Sequence, residues 1–277
     1  MKRYLPAGSY DSITPETAGW EYSALRLLTL DGSATFETGE FETLVLPLAG
    51  SCSVSCDGQT FEVQGRRDVF SRVTDFVYAP RDATVTVTGQ GRFALPAARC
   101  GARLEPRHVP AEDVQVELRG AGQASRQVNN FCTPETFPHA DKLIACEVLT
   151  PGGNWSSYPP HKHDRESPGE CVLEEIYYFE VAGGGMAYQR VYGEPERPID
   201  VLEEVRTGDT VLIPHGYHGP SMAAPGYDLY YLNVMAGPSP ERAWLICDDP
   251  AHGWVRATWA EQEMDPRLPL TSAEGPR

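Results

Sequence analysis

The chain has 277 residues, 41% of them hydrophobic, enough to bury one large core or two smaller ones. A formal net charge of −16 argues against nucleic acid or an anionic membrane as partner, because both demand basic patches. No run of 18 apolar residues is present to span a bilayer, and Met1-Lys2-Arg3-Tyr4-Leu5-Pro6 lacks the apolar centre of a signal peptide.

The seven cysteines are odd in number and loosely spaced, so neither a disulfide framework nor a paired zinc motif is indicated; reduced thiols in a cytoplasmic protein are expected. With 26 glycines, 24 prolines and little helical periodicity, the composition predicts an all-β fold of short strands joined by turns.

In chain order, Glu42–Gly50 reads as a strand that passes through a glycine into Ser51–Cys56. Asp57-Gly58 turns it into Gln59–Val63, and Gly65-Arg66-Arg67-Asp68 precedes Val77-Tyr78-Ala79-Pro80. Thr84–Thr88 and Val114–Leu118 alternate with the two-residue period of strands. Residues 105–122, with Pro106, Pro110 and Arg119-Gly120-Ala121-Gly122, read as a linker.

The second half repeats the first. Glu175-Ile176-Tyr177-Tyr178-Phe179 leads through Gly183-Gly184-Gly185 into Met186–Arg190, and Gly208-Asp209 opens Thr210-Val211-Leu212-Ile213-Pro214. Each half is strand, glycine turn, strand, polar turn, strand ending in proline, as in a sandwich or barrel. Two units are expected, residues 1–118 and 119–277. A short helix over 257–264 and a loose tail over 265–277 complete the reading.

The chemistry is concentrated in the second unit. His161 and His163, two apart, share one face of a strand. A glutamate heads the next apolar strand, and a histidine follows the Gly-Asp turn and Pro214. Three imidazoles and a carboxylate suit a divalent transition metal with positions left open. Parity alone does not choose between Glu174 and Glu175. His218, opening the return strand, is a better ligand than His215 inside the turn. The first histidine of the chain is His108, so the first unit carries no equivalent site.

These motifs resemble the cupin superfamily, with an eleven-residue spacer between His163 and Glu175 and one residue fewer before His218. The runs Thr150–Asp164, Leu173–Tyr178, Pro214–His218 and Tyr230–Gly237, with Gly65–Phe70, Arg119–Gly122 and Arg126-Gln127-Val128, are similar to the 5-deoxy-glucuronate isomerase family of inositol catabolism. The resemblance implies a bicupin, two tandem jelly-roll β-barrels, the first degenerate. It places the metal ligands at His161, His163, Glu175 and His218.

It also implies an aldose–ketose isomerase converting 5-deoxy-D-glucuronate to 5-dehydro-2-deoxy-D-gluconate through a metal-assisted enediolate. Zinc is the expected ion, with manganese or iron as alternatives. Asp164, Tyr231 and Glu174 are the candidate catalytic residues. Tyr177 and Tyr188 are further candidates for the base. Arg190, Arg126, Tyr177, Tyr188, Asn233 and Lys142 are the candidates for binding a uronate-type sugar acid, the arginines ranking above the lysine because they grip carboxylates with two parallel bonds. A monomer or small homo-oligomer is expected. The competing readings are a metal-dependent cupin dioxygenase, which would consume oxygen, and a non-catalytic sugar-binding bicupin.

Overall fold

The computed structural model describes residues 2–276, and they form two antiparallel β-barrels packed sheet against sheet. The first is a single seven-stranded sheet. Its path runs Ser12–Ile13, Ser23–Glu37, Thr84–Arg99, Phe41–Cys56, Phe76–Ala79, Arg107–Val109, with Gln59–Arg66 on the flank of Phe41–Cys56. Three of these strands are 15 or 16 residues long, so they bend and cross both walls of the barrel. Glycine permits the bend: a Cβ on Gly50 (φ 96°) would lie 2.7 Å from the Cα of Gly91 and 2.0 Å from the Gln90 carbonyl oxygen.

The second barrel has two sheets. One runs Tyr4–Leu5, Thr210–Ile213, Glu174–Val181, Leu229–Ala236, Ile144–Thr150, Arg126–Cys132, Gln115–Arg119. The other runs Arg197–Val205, Ala187–Glu194, Tyr217–Ala223, His161–Lys162, Cys247–Asp248.

Strand alternation divides the hydrophobic residues between three cores. Val45, Val54, Val77, Val85, Val87 and Phe93 fill the first barrel. Cys146, Val148, Tyr177, Phe179, Val211, Tyr231 and Met235 line the second. Their neighbours in sequence, Leu44, Leu46, Leu48 and Tyr78 on one side and Ile176, Tyr178, Leu212, Leu232 and Val234 on the other, meet between the barrels. A strand buried on both faces reads as an unbroken apolar run, which is why these segments lack clean alternation.

Two glutamates fasten the barrels together by the same device. Glu42, wholly buried, accepts backbone N–H bonds from Asp141 (2.8 Å), Lys142 (2.5 Å) and Leu143 (2.6 Å), at the entry to Ile144–Thr150. Glu174 accepts those of Glu21 (2.7 Å), Tyr22 (2.8 Å) and Ser23 (2.8 Å), at the entry to Ser23–Glu37. Each clasp satisfies three donors that no strand partner reaches. Between them lies a fully buried ion pair, Arg66 Nη2 to Glu147 Oε2 at 2.8 Å, with Asn129 Nδ2 on Oε1 at 2.7 Å.

Three expectations are corrected. Tyr4–Leu5, on the first side of the expected boundary, and Gln115–Arg119, which straddles it, both hydrogen-bond into the second barrel's sheet, because their edges pair with Thr210–Ile213 and Arg126–Cys132. The segment 265–276 is held in place: Thr271 is buried, and the backbone N–H groups of Leu270 and Thr271 donate to Gln127 Oε1 at 2.8 and 3.1 Å. The expected helix is one α-turn, Val255–Thr258, continued as a 3-10 turn over Trp259–Glu261.

The symmetry of the clasps makes a prediction. Glu42→Gln and Glu174→Gln each lower stability by about 1–3 kcal/mol in urea unfolding, since each weakens three charge-assisted bonds. A variant as stable as the parent would show that its clasp contributes nothing.

Candidate metal centre

Ile176 and Tyr178 pack between the barrels, so Glu175, Tyr177 and Phe179 point into the second barrel. Of the two candidate carboxylates, Glu175 is the one that faces the histidines, at 3.1 Å from His163 Nε2 and 3.0 Å from His218 Nε2. Glu175 is 1% exposed, opposite Ile213 on one side and Met235 on the other. His161 stands directly across from His218 in the second sheet, and His163 follows two residues on. The three histidines are buried, and the His161 and His163 rings lie 4.5 and 4.7 Å from the His218 ring, edge to face.

Backbone carbonyls fix how these rings are protonated. His161 Nδ1 is 3.2 Å from the Pro159 oxygen, His163 Nδ1 3.1 Å from that of Leu173, and His218 Nδ1 3.4 Å from that of Gly216. A carbonyl only accepts, so each Nδ1 carries the hydrogen and a neutral ring keeps its lone pair on Nε2. His163 Nε2 lies 3.1 Å and His218 Nε2 3.0 Å from Glu175 Oε2. His218 Nε2 nonetheless makes no hydrogen bond there and has no other partner. A bare nitrogen lone pair facing a carboxylate oxygen is repulsive unless a positive charge lies between them.

Ligand atoms of His163, Glu175 and His218 fall within 4.8 Å of one another; His161 lies just outside that trio, its ring against His218. Such a cluster could hold a divalent transition metal, and its second ring nitrogens are held by carbonyls, as in protein metal sites generally.

The electrostatics agree. Burial raises the Glu175 carboxyl, but His218 and His163 outweigh it and hold it far below the ordinary range. Burial, then the neighbouring His218 and His163, push His161 well down, so its ring is neutral. Burial opposes protonation of His163, but the Glu175 carboxylate overcomes it and raises that ring.

Four other expected site residues face the same interior. Asn233 donates from Nδ2 to Glu175 Oε1 at 2.6 Å, and its Oδ1 is buried without a partner. Tyr177 stacks on Tyr231 with centroids 4.9 Å apart and lies 5.9 Å from the His218 ring. Ser157 Oγ sits between their hydroxyls, 2.7 Å from Tyr177 and 3.3 Å from Tyr231. Burial raises both phenols above their ordinary pKa, so both stay protonated. Arg126 is buried on the same face; its Nη1 donates to the carbonyls of Ala124 (3.0 Å) and Tyr158 (3.4 Å). No acid pairs with it among the described residues, and burial lowers it to about 10. Gly120 makes room for it, since a Cβ there would lie 2.8 Å from Arg126 Nη1.

The other expected residues lie elsewhere. Glu174 points the opposite way from Glu175, into its clasp. Asp164 shares the outer face with Lys162, whose Nζ it holds at 2.8 Å, and accepts from the Gly216 N–H at 3.0 Å. Tyr188 and Arg190 alternate with Ala187 and Val191, which fill the barrel, so both point outward, and Arg190 pairs with the exposed Asp200. Lys142 Nζ donates to the Ser239 carbonyl at 2.5 Å. His215 does not join the cluster.

Sequence reasoning passed over a cavity of about 420 Å³ on the inner face of Gln115–Arg119 and Arg126–Cys132. It is lined by Glu117, Arg119, Asn130, Trp244, Ile246 and Arg256 among others, and by none of the four candidate ligands.

The model of the KduI/IolB family matches residues 5–255. A 5-deoxy-glucuronate isomerase of Geobacillus kaustophilus is 43% identical over 256 residues, covering 90% of this chain and 91% of that one. The Bacillus subtilis (strain 168) protein of the same name is 38% identical over 251 residues, 88% and 91% of the two chains. The crystal structure of an IolB-like protein from Salmonella typhimurium LT2 superposes with a TM-score of 0.85 at 33% identity, covering 92% of this chain and 99% of that one. Oxalate decarboxylase from Lactobacillus farciminis shares the two-barrel fold, with a TM-score of 0.61 at 13% identity over 86% of this chain and 82% of its own.

Metal analysis tests the centre. The purified chain is expected to hold about one equivalent of a divalent ion, and His163→Ala and Glu175→Gln to retain under about a tenth of it, because each removes a ligand that no neighbour replaces. Full metal content in both variants would place the ion elsewhere.

Proposed function

The chain belongs to the KduI/IolB family, and from that membership and the geometry of the barrel interior we propose that it is an aldose–ketose isomerase acting on 5-deoxy-D-glucuronate. The product is 5-dehydro-2-deoxy-D-gluconate, which places the enzyme in inositol catabolism. The observation that carries the reading is the set of buried imidazoles, each with its Nε2 lone pair freed by a carbonyl at Nδ1, gathered around the Glu175 carboxylate. All seven cysteines are free, in keeping with a cytoplasmic enzyme.

His161, His163, Glu175 and His218 are the residues that hold the ion. A bound divalent cation, zinc by this donor set with manganese or iron(II) as the other fits, supplies Lewis acidity to the sugar oxygens without any change of redox state.

The isomerisation moves the proton on the hydroxyl-bearing carbon to the old aldehyde carbon and the proton of that hydroxyl to the old aldehyde oxygen, so the aldehyde becomes a hydroxymethyl group and its neighbour a ketone. The chain's own contribution is to position hydrogen-bond donors. Of the three candidate catalytic side chains, Asp164 is tied to Lys162 and Glu174 to the first barrel, which leaves Tyr231. As a protonated phenol linked through Ser157 to Tyr177, it donates to oxygen where charge develops and exchanges a proton along the hydroxyl row. Asn233 fixes the second Glu175 oxygen and offers its free Oδ1 to a sugar hydroxyl. The substrate carboxylate goes to Arg126, a buried cation without an acid.

Proton NMR on 5-deoxy-D-glucuronate in deuterated water tests the reading. The metal-loaded enzyme is expected to convert it and to leave deuterium at the new hydroxymethyl carbon; no conversion overturns the proposal. Tyr231→Phe should lower kcat about 100-fold with metal content unchanged. Arg126→Met should raise KM by about tenfold or more, whereas Arg190→Met, which removes a surface pair, should leave both constants within about twofold.

A further inference from the structure

We propose that the 420 Å³ cavity is the subsite that reads a hydroxyl of the sugar acid, with the Trp244 indole N–H donating to that hydroxyl and the Asn130 amide oxygen accepting from it. The inference deepens the isomerase reading and rests on it.

Both atoms are buried and without a partner. Trp244 Nε1 and Asn130 Oδ1 make no hydrogen bond, and Asn130 as a whole is 5% exposed. An unmet donor and an unmet acceptor on two residues that line one cavity are each costly to bury, and a hydroxyl, which accepts and donates through one oxygen, would satisfy both at once. Water also does so, but a hydroxyl fixed on a carbon chain does so in one orientation.

The cavity stands at the right place relative to the metal centre. In the sheet register Tyr177 is opposite Asn233, Asn233 opposite Cys146, and Cys146 opposite Asn130. All four point into the barrel, as their neighbours Tyr231, Met235, Val148 and Val128 do. Neighbouring strands are about 4.8 Å apart, so Asn130 lies roughly 10 Å along this row from Asn233. Asn233 is itself bonded to Glu175. An open six-carbon acid laid along the row runs from the ligands toward Asn130.

The walls are set in advance. The Arg119 guanidinium lies over the Trp244 ring at 5.4 Å and is gripped by Glu117 through two bonds of 2.8 Å. Arg256, on the far wall, is paired with Asp248. Both lining arginines already have acids, so the pull on a free carboxylate stays with Arg126, and the cavity discriminates by hydrogen bonds. A site that leaves polar groups unpaired when a hydroxyl is missing rejects the deoxy analogue strongly.

The experiment compares two acids on the purified metal-containing enzyme by titration calorimetry: D-gluconate, an open-chain polyhydroxy acid, and hexanoate, the same chain without hydroxyls. Trp244→Phe keeps the ring and deletes the N–H; Asn130→Ala deletes the acceptor. Each is expected to weaken D-gluconate about tenfold and to raise KM for the uronate by a similar factor, as the loss of one hydrogen bond does. Hexanoate affinity, kcat, metal content and Tm should not move. Trp254→Phe, at an indole 65% exposed, should match the parent throughout. If the parent binds D-gluconate and both variants bind it equally well, the subsite is overturned while the isomerase reading stands. If the parent neither binds D-gluconate nor turns over the uronate, the isomerase reading fails and the subsite with it.

Discussion

A carboxylate with no access to water, faced by imidazole nitrogens whose hydrogens are committed elsewhere, is the constraint around which the second barrel is organised. Glu175 can stay ionised there only beside positive charge. A divalent cation held between it and the imidazole nitrogens would supply that charge, with His163 Nε2 3.1 Å and His218 Nε2 3.0 Å from its Oε2. The carbonyls of Pro159, Leu173 and Gly216 act on the same balance from outside, since they decide which nitrogen of each ring is left bare. The backbone of three separate loops thus determines the chemistry of one point in the interior.

The first barrel matters because the strand that carries Glu175 is shared between two cores. One face of Glu174–Val181 closes the second barrel and the other seals the interface. Glu174, one residue from the ligand, is spent on the first barrel's backbone, and Glu42 returns the same clasp from the other side. The pairing of Thr43 with Ala79, just before Pro80, corresponds to that of Glu175 with Ile213, just before Pro214. The first barrel therefore keeps the framework of the site with a threonine in place of the acid, and its work is to hold the inter-barrel sheets in register.

A chain with sixteen excess negative charges needs a local reversal of field to take up a sugar acid. Arg126, Arg119 and Arg256 are the cations on this side of the barrel: Arg126 and Arg256 both lie against the Trp259 ring, at 5.4 and 5.1 Å, and Arg119 lies over Trp244 at 5.4 Å. Two are balanced by acids and stack on indoles, Arg119 on Trp244 and Arg256 on Trp259. The third, also against Trp259, has only carbonyls. An unbalanced buried cation costs stability, and that cost is recovered when an anion binds.

Read alone, the chain determined the all-β class and showed the histidine pair on one strand face, because these depend on local spacing: a two-residue period, glycine turns, and strands ending in proline. Its expectation that His218 rather than His215 faces the cluster rested on the same local pattern, and His218 is the one beside Glu175. Between Glu174 and Glu175 it could not decide, since parity says that two residues face apart but not which face is inside; the packing of Ile176 and Tyr178 against the first barrel decided that. Asp164 and Arg190 had the right chemistry on the wrong side of their strands. Arg126 outranked Arg190 only once Asp200 was seen to neutralise the latter. Trp244 and Asn130, over a hundred positions apart, carry no motif at all. Their unmet hydrogen bonds arise only when a strand edge and a distant C-terminal segment close over one space, and that closure is a property of tertiary contact which no local pattern encodes.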